Sequence, residues 1–405
     1  MDWPLKDHPM AHPQLPDGPL TGIRIIDMTS IGMGPMATQM LGDMGADVIK
    51  IETEVGDLFR HVTPQRHHGM SHPYLNLNRN KRSVVLDAKT PEGKQAIVRM
   101  AEGGDVFVTN VRPAAMQRLG LDAAALCALN PRLVYCSCVG YATNGPYAGR
   151  ASLDDVIQAA SGAAWYQGLV GSDQPRYTNT AMADKVCALY ISNAISMALL
   201  ARERTGTGQA IEVPMFECMV QFNLLEHLGG LTFVPPEGPP GYARLINPFR
   251  KPQKTLDGWI AVVPYTDAQW VRFFELAGRP ELGSDPQFQT SVARSRHYEA
   301  LYAVAAELVA SRTTAEWIAL LDPADIPYSP VNSANDLLAD RHLEATGFWH
   351  DVDHPSEGRL KMMGIPLRFS DTPGTIRRLA PGLGEHTQEV LQEIGLGGTD
   401  FPVTT

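Results

Sequence analysis

GIRIIDMTSIGMGPMATQMLGDMGADVIKIE, residues 22–52, reads as strand, loop, helix, strand. GIRIIDMT (22–29) carries several β-branched apolar residues, as strands do. SIGMGP is a loop, MATQMLGDMG is a helix that Gly45 helps to stop, and ADVIKIE (46–52) is the second strand. A β-α-β unit of about thirty residues builds a parallel sheet.

The pattern then repeats. A strand at 83–87 (SVVLD) leads to a helix at 91–102 with Pro91 near its start, and 105–110 (DVFVTN) is another strand. Helical pieces around 114–128 precede the strand LVYCSCVGY (133–141). Such alternation predicts an α/β chain with a doubly wound, Rossmann-like open sheet, whose ligands lie beyond the carboxyl ends of its strands. From 151 to about 230 the chain is mainly helical, broken by the strand candidate AIEVPM (210–215). TNTAMADKVCALYISNAISMALLARERTGTGQ (178–209) reads as one long apolar helix opening at Asp184, with Leu189, Ile191, Ile195, Leu199 and Leu200 near helical spacing.

Pro- and Gly-rich residues 234–256 break this periodicity and mark a linker. A smaller α/β module begins at GWIAVVPY (258–265) and ends near IPYSPVN (326–332); a strand (358–369) and a helix (385–396) close the chain. The expected division is a large Rossmann-like domain at 1–220 with 334–405, a linker at 221–255, and a small α/β domain at 256–333.

Of 405 residues, 44% are hydrophobic and 19% charged, the balance of a globular enzyme. A net charge of −10 argues against a nucleic-acid binder. It leaves room for a polyanionic ligand, because screening lets a few local cations decide phosphate binding. Cys127, Cys136, Cys138, Cys187 and Cys218 form no C-x-x-C and read as free thiols of a reducing compartment. The polar, Pro-rich start lacks the order of a signal peptide, and no apolar run is read as a membrane span. A soluble cytoplasmic protein without nucleic-acid or membrane partners is expected.

Gly32 and Gly34 with Ala37, and Glu52 closing the second strand, fit a relaxed dinucleotide fingerprint. Glycines needed only for a tight turn explain the loop equally well. His61, His67, His68 and His72 fall in a polar loop and read as solvated or substrate-adjacent rather than metal-binding. Arg79, Lys81, Arg82, Lys89, Arg112, Arg118 and Arg150 either solvate a surface or, beside strand-to-helix turns, await an anion. No G-x-S-x-G elbow is present. Asp184 alone reads as a helix-start residue satisfying unpaired backbone donors.

An ordered series of segments carries a more specific reading. GADVIKIE (45–52), NKRSVVLD (80–87), KTPEG (89–93), TNVRPA (109–114), GYATNGP (140–146), QAASG (158–162), the Asp184 helix, TGTGQ (205–209) and LGEHT (383–387) follow one another in that order. In this the chain resembles the family III (CaiB/BaiF) CoA-transferases, formyl-CoA and carnitine CoA-transferases among them, from about 20 to 395. The resemblance implies a large Rossmann-like domain, a small domain, and two chains interlocked as a homodimer. It implies transfer of CoA from an acyl-CoA donor to a carboxylic acid acceptor, with coenzyme A as substrate and no metal.

Carried over by position, Asp184 matches the family's nucleophile, which would form an acyl-aspartyl anhydride and then an aspartyl-CoA thioester. A helix N-terminus would help keep it ionised. Ile31, Gly32 and Met33 match the loop along the pantetheine, Leu86 and Lys89 positions near the nucleotide, and Asn110, Val111, Arg118 and Leu119 those around adenine and phosphates. Asp154 matches a supporting acid. Thr53 stands where formyl-CoA transferase has arginine, and that enzyme's glycine-rich small-domain loop is missing. The related 2-methylacyl-CoA racemases pair the aspartate with a histidine, whose position here is Leu153, and leucine carries no proton. A CoA-binding homologue without turnover and a hydrolase that releases free acid are the remaining alternatives.

Overall fold

Branched apolar segments pair into one parallel sheet. Strands β1 (Arg24–Met28), β2 (Asp47–Glu52), β3 (Lys81–Val85), β4 (Val106–Thr109), β5 (Val134–Val139) and β6 (Ala210–Pro214) lie in the order 3-2-1-4-5-6, each parallel to its neighbours. The computed structural model describes residues 17–170 and 174–397, so residues 1–16, part of the polar start read above, lie outside the described residues. The strand order reverses between β1 and β4, which opens a crevice at their carboxyl ends.

Both faces of the sheet are covered, as parallel sheets require. On one face Ile26, Ile49, Val84, Phe107 and Tyr135 pack with Ile97 and Met100. Those two belong to helix α2 (Pro91–Glu102), which Thr90 caps by accepting from Gly93 N at 3.0 Å. Ile25, Val48 and Val106, at the alternate positions, are equally buried on the other face. Earlier in the chain lies α1 (Met33–Asp43); α3 (Pro113–Leu119) and α4 (Asp154–Ala160) follow α2. Helix α5 (Met182–Thr205) packs along α1 and buries Ala183, Cys187, Ile191, Ile195 and Leu199. By length and composition alone α5 could cross a membrane, contrary to the expectation from sequence. One face of it is buried within the first unit. Helix α6 (Met215–His227) follows β6.

Two compact units divide the chain. The first comprises Met1–Ser161, Thr178–Phe222 and Glu344–Thr405, the second Gly162–Tyr177 and Asn223–Leu343. In the second unit β7 (Gln253–Lys254), β8 (Trp259–Val262) and β9 (Tyr328–Pro330) form an antiparallel sheet. Helices α7 (Asp267–Leu276), α8 (Tyr298–Val309) and α9 (Thr314–Leu321) bury Phe273, Phe274, Leu301 and Trp317. Capping boxes at Thr266/Gln269 and Thr313/Glu316 start α7 and α9. The stretch 221–255 differs from a linker: most of it belongs to the second unit, where Gln253 and Thr255 are buried. Proline and glycine there remove helical periodicity without removing tertiary contacts. The first unit resumes with the hairpin β10 (Trp349–His354) and β11 (Gly358–Met363) and ends in α10 (Thr387–Glu393), whose Val390 and Leu391 join the sheet's core.

Most of the basic residues around β3 are internal struts. Lys81 Nζ is fully buried and donates to Asp27 Oδ2 at 3.0 Å and to Pro35 O at 2.9 Å. Arg79 pairs with Asp43 at 2.7 Å. Arg82 pairs with Asp47 at 2.6 Å and with Glu389 and Glu393 of α10 at 3.0 and 2.6 Å. Burial pushes Asp27 upward, but Lys81, Lys50 and the hydroxyls of Thr29 and Thr38 outweigh it and hold the carboxyl at about 2. Neither surface solvation nor anion binding describes these side chains.

Candidate active site

The loop from β1 to α1 is fixed from three sides. Ser30 N donates to Asn110 Oδ1 at 3.2 Å and Asn110 Nδ2 returns a bond to Ser30 O at 2.9 Å, tying the two strands that flank the sheet's reversal. Ile31 N donates to Asp57 Oδ1 at 3.0 Å. Asp57 is in turn paired with the buried Lys50 at 2.9 Å, and Lys50 also holds Thr29 O at 2.8 Å. So clamped, Ile31 keeps a φ of 72°, a left-handed conformation that a β-branched residue adopts only under constraint.

This geometry presents the N-terminus of α1 to a cavity of about 540 Å³, lined by Ile31, Gly32, Met33, Asn110, Val111 and Asp184 among others. The amides of Met33 and Gly34, in the first turn of α1, have no intrahelical acceptor. Gly32 is needed for contact: a Cβ built on it lies 2.9 Å from Asp184 Cγ. Gly34 is needed for packing, because its Cβ would run into the Thr29 side chain.

Asp184 sits in the first turn of α5, which begins at Met182. The N-cap residue, Ala181, offers no side-chain bond. Asp154 of α4 supplies one from across the fold: its Oδ1 accepts from Asp184 N at 3.0 Å, while Oδ2 accepts from Gln158 Nε2 at 2.5 Å. Thr178 fixes Gln158 in turn by donating to Oε1 from both N and Oγ1. Burial and the adjacent Asp154 carboxylate push the Asp184 carboxyl up to about 6, against the ionising pull expected of a helix N-terminus. At neutral pH the group is still mostly ionised. The result is a carboxylate that is poorly solvated, basic for its type and aimed at a cavity, the combination a nucleophile or general base requires.

Whole-chain comparison bears on what this carboxylate serves. A model of CoA-transferase family III matches residues 20–387. The chain belongs to that family. An acyl-CoA transferase of Fusarium pseudograminearum is 34% identical to it over 94% of this chain and 85% of the relative. The succinyl-CoA--L-malate CoA-transferase beta subunit of Chloroflexus aurantiacus is 32% identical over 93% and 94%. Among solved structures, a CAIB/BAIF family protein from Brucella suis superposes with a TM-score of 0.78 at 31% identity, covering 93% of this chain and all of that one.

For a family III CoA-transferase, the expected CoA positions divide into two groups. Ile31, Gly32, Met33, Asn110 and Val111 line the cavity with Asp184. Leu86, Lys89, Arg118 and Leu119 do not. Leu86 is buried in the sheet's core, and Leu119, partly buried, packs against it. Lys89 and Arg118 are exposed. Asp154 acts through Asp184's amide and is not among the lining residues. Of the remaining basic residues, Arg112 and Arg150 reach the cavity, neither in an ion pair among the described residues; Arg150 lies 4.0 Å over the Tyr147 ring.

The nicotinamide reading loses its acid. Glu52 is buried and committed to Arg60 at 2.7 Å and Ser83 Oγ at 2.6 Å. His67 binds Glu357 at 3.2 Å, while His61 and His72 bond to the carbonyls of Val55 and Pro64. Sequence reasoning missed Lys50 and Asp57. The available signal was a lysine inside the apolar strand ADVIKIE, since a charge there must be paired to be buried.

Proposed function

We propose that this family III CoA-transferase moves CoA between carboxylic acids through covalent intermediates on Asp184. The Asp184 carboxylate attacks the thioester carbonyl, the C–S bond breaks, and an acyl-aspartyl anhydride forms with release of CoA thiolate. The thiolate attacks the aspartyl carbonyl and expels the donor acid, which carries away one Asp184 oxygen. The acceptor carboxylate attacks the resulting aspartyl-CoA thioester to form a second anhydride. The returning thiolate attacks the acceptor's acyl carbon and regenerates Asp184. First-turn amides of α1 would stabilise the tetrahedral oxyanions, and Arg112 and Arg150 would attract the anionic thioester. The observation that carries the reading is the raised, half-buried Asp184 carboxyl on the cavity wall.

Donor and acceptor are proposed to be dicarboxylates, as in the succinyl-CoA–malate name of one relative, with the two unpaired arginines available to a second carboxylate. The interlocked homodimer is likewise proposed; support comes from Leu189, Met197 and Leu200, each more than half exposed in a stripe along α5. Five free thiols favour a cytoplasmic setting.

The test is incubation with a panel of acyl-CoAs followed by hydroxylamine trapping and peptide mass spectrometry. A hydroxamate at Asp184, absent in Asp184→Ala, is expected. Exchange of an α-proton in a 2-methylacyl-CoA without any adduct would instead identify a racemase, and thioester binding with neither outcome a CoA-binding protein without turnover.

A further inference from the structure

The second unit holds a cavity of about 290 Å³ that shares no lining residue with the cavity of Asp184. Phe249, Val262 and Val263 form part of an apolar wall, while Arg244, Arg250 and Lys251 supply three positive charges. No aspartate or glutamate lines it, and none of the three cations forms an ion pair among the described residues. Elsewhere in the same unit Arg279 and Arg294 each have a carboxylate, Glu281 and Asp267. In a chain with a net charge of −10, three uncompensated cations around one concavity are not a sampling of the average surface.

Arg244 and the turn that bears the other two cations are held in place. Asn247 Oδ1 accepts from Phe249 N at 2.8 Å, and the buried Gln253 donates from Nε2 to Phe249 O at 3.1 Å and Lys251 O at 2.9 Å. These bonds fix the turn that bears Arg250 and Lys251. Arg244 Nε donates to Tyr302 Oη at 3.1 Å, which orients the guanidinium and leaves its terminal nitrogens for a ligand. A planar donor fork matches a carboxylate, which it can grip with two parallel bonds. The apolar wall is wasted on a bare oxyanion and asks for a hydrocarbon body, and the volume suits a single ring or a short branched chain.

We propose that this cavity binds a monocarboxylate with an aromatic or short branched hydrocarbon body, its carboxylate on Arg244 and its body against Phe249 and Val263. None of the features that support this ligand rests on the chemistry assigned to Asp184.

Calorimetric titration of the full chain with phenylacetate, phenylacetamide and inorganic phosphate tests the assignment. Saturable binding of phenylacetate is expected, at least tenfold tighter than of either other probe. Arg244→Gln should weaken it about tenfold, and the exposed double variant Arg250→Gln/Lys251→Gln severalfold, while Asp184→Ala leaves it unchanged. Should Arg244→Gln fail to fold, the double variant carries the comparison. Equal binding of phenylacetamide removes anion recognition, and equal binding of phosphate removes the role of the wall. Loss of binding in Asp184→Ala places the ligand in the other unit. No saturable heat up to roughly 10 mM phenylacetate, beyond millimolar affinity, likewise overturns the proposal.

Discussion

Asp184 and Gly32 share one small volume, and each limits the other. With its carboxyl near 6, kcat/KM for an acyl-CoA should fall about tenfold per pH unit below that value and level off above it. Asp154→Asn removes the like charge yet can still accept from Asp184 N, so the acidic limb should move toward the ordinary carboxylate range; a limb that stays put removes Asp154 from the cause. The same shift bears on stability. Because the folded state holds this proton at a pH where the unfolded chain has lost it, stability declines as pH rises from 3.8 to about 6. Asp184→Asn should therefore melt higher at pH 7, by about 2 °C, while losing activity. Gly32→Ala should keep the fold and lose roughly 100-fold in turnover by displacing the carboxylate. Gly34→Ala should instead destabilise by about 1–3 kcal/mol, because it strikes Thr29 in the interior. Comparing kcat with urea midpoints separates the two glycines. The position of Asp184 was legible in the sequence through its ordered neighbours. Its raised carboxyl was not, since Asp154 lies thirty residues away and only folding joins them.

At the scale of elements, the first β-α-β unit is locked by charge as well as by apolar packing. Lys81→Met leaves Asp27 buried without its partner and should cost about 3–5 kcal/mol in equilibrium unfolding, with the sheet's first three strands losing hydrogen-exchange protection together. Asp27, held at about 2, contributes stability above pH 4 that is lost as pH falls toward 2. Ile31→Gly relieves a left-handed β-branched residue and should stabilise the chain by about 1 kcal/mol while raising KM, as the loop loses its preset form. A fall in stability would show that Ile31's contacts outweigh its backbone. Helix α7 starts at Asp267 because Thr266 caps it locally. Helix α5 starts two residues before the expected Asp184 because its cap comes from another helix, which no local pattern announces. For Arg79, Lys81 and Arg82 the sequence shows charge but not partners: Asp43, Asp27 and Asp47 precede them by more than thirty residues, and the Glu389–Glu393 pair that also holds Arg82 follows by about three hundred.

At the scale of the molecule, the exposed apolar stripe of α5 is what tests the proposed subunit contact. Leu200→Glu should halve the mass measured by light scattering if that stripe is the subunit contact, and an unchanged mass would move the contact elsewhere. The alternation of strands and helices made the large sheet legible, whereas the unit boundaries were not, because residues 162–177 join the second unit through folding rather than through any shift in composition. The divided first unit also sets an order of events during synthesis. Its core needs Val390 and Leu391, and Arg82 needs Glu389 and Glu393, yet these leave the ribosome roughly 170 residues after Phe222. At about 5–20 residues per second the nascent sheet waits on the order of 10–30 s with one face unsealed. The second unit has no such dependence on the last helix, so it can close while the older part of the chain is still unfinished.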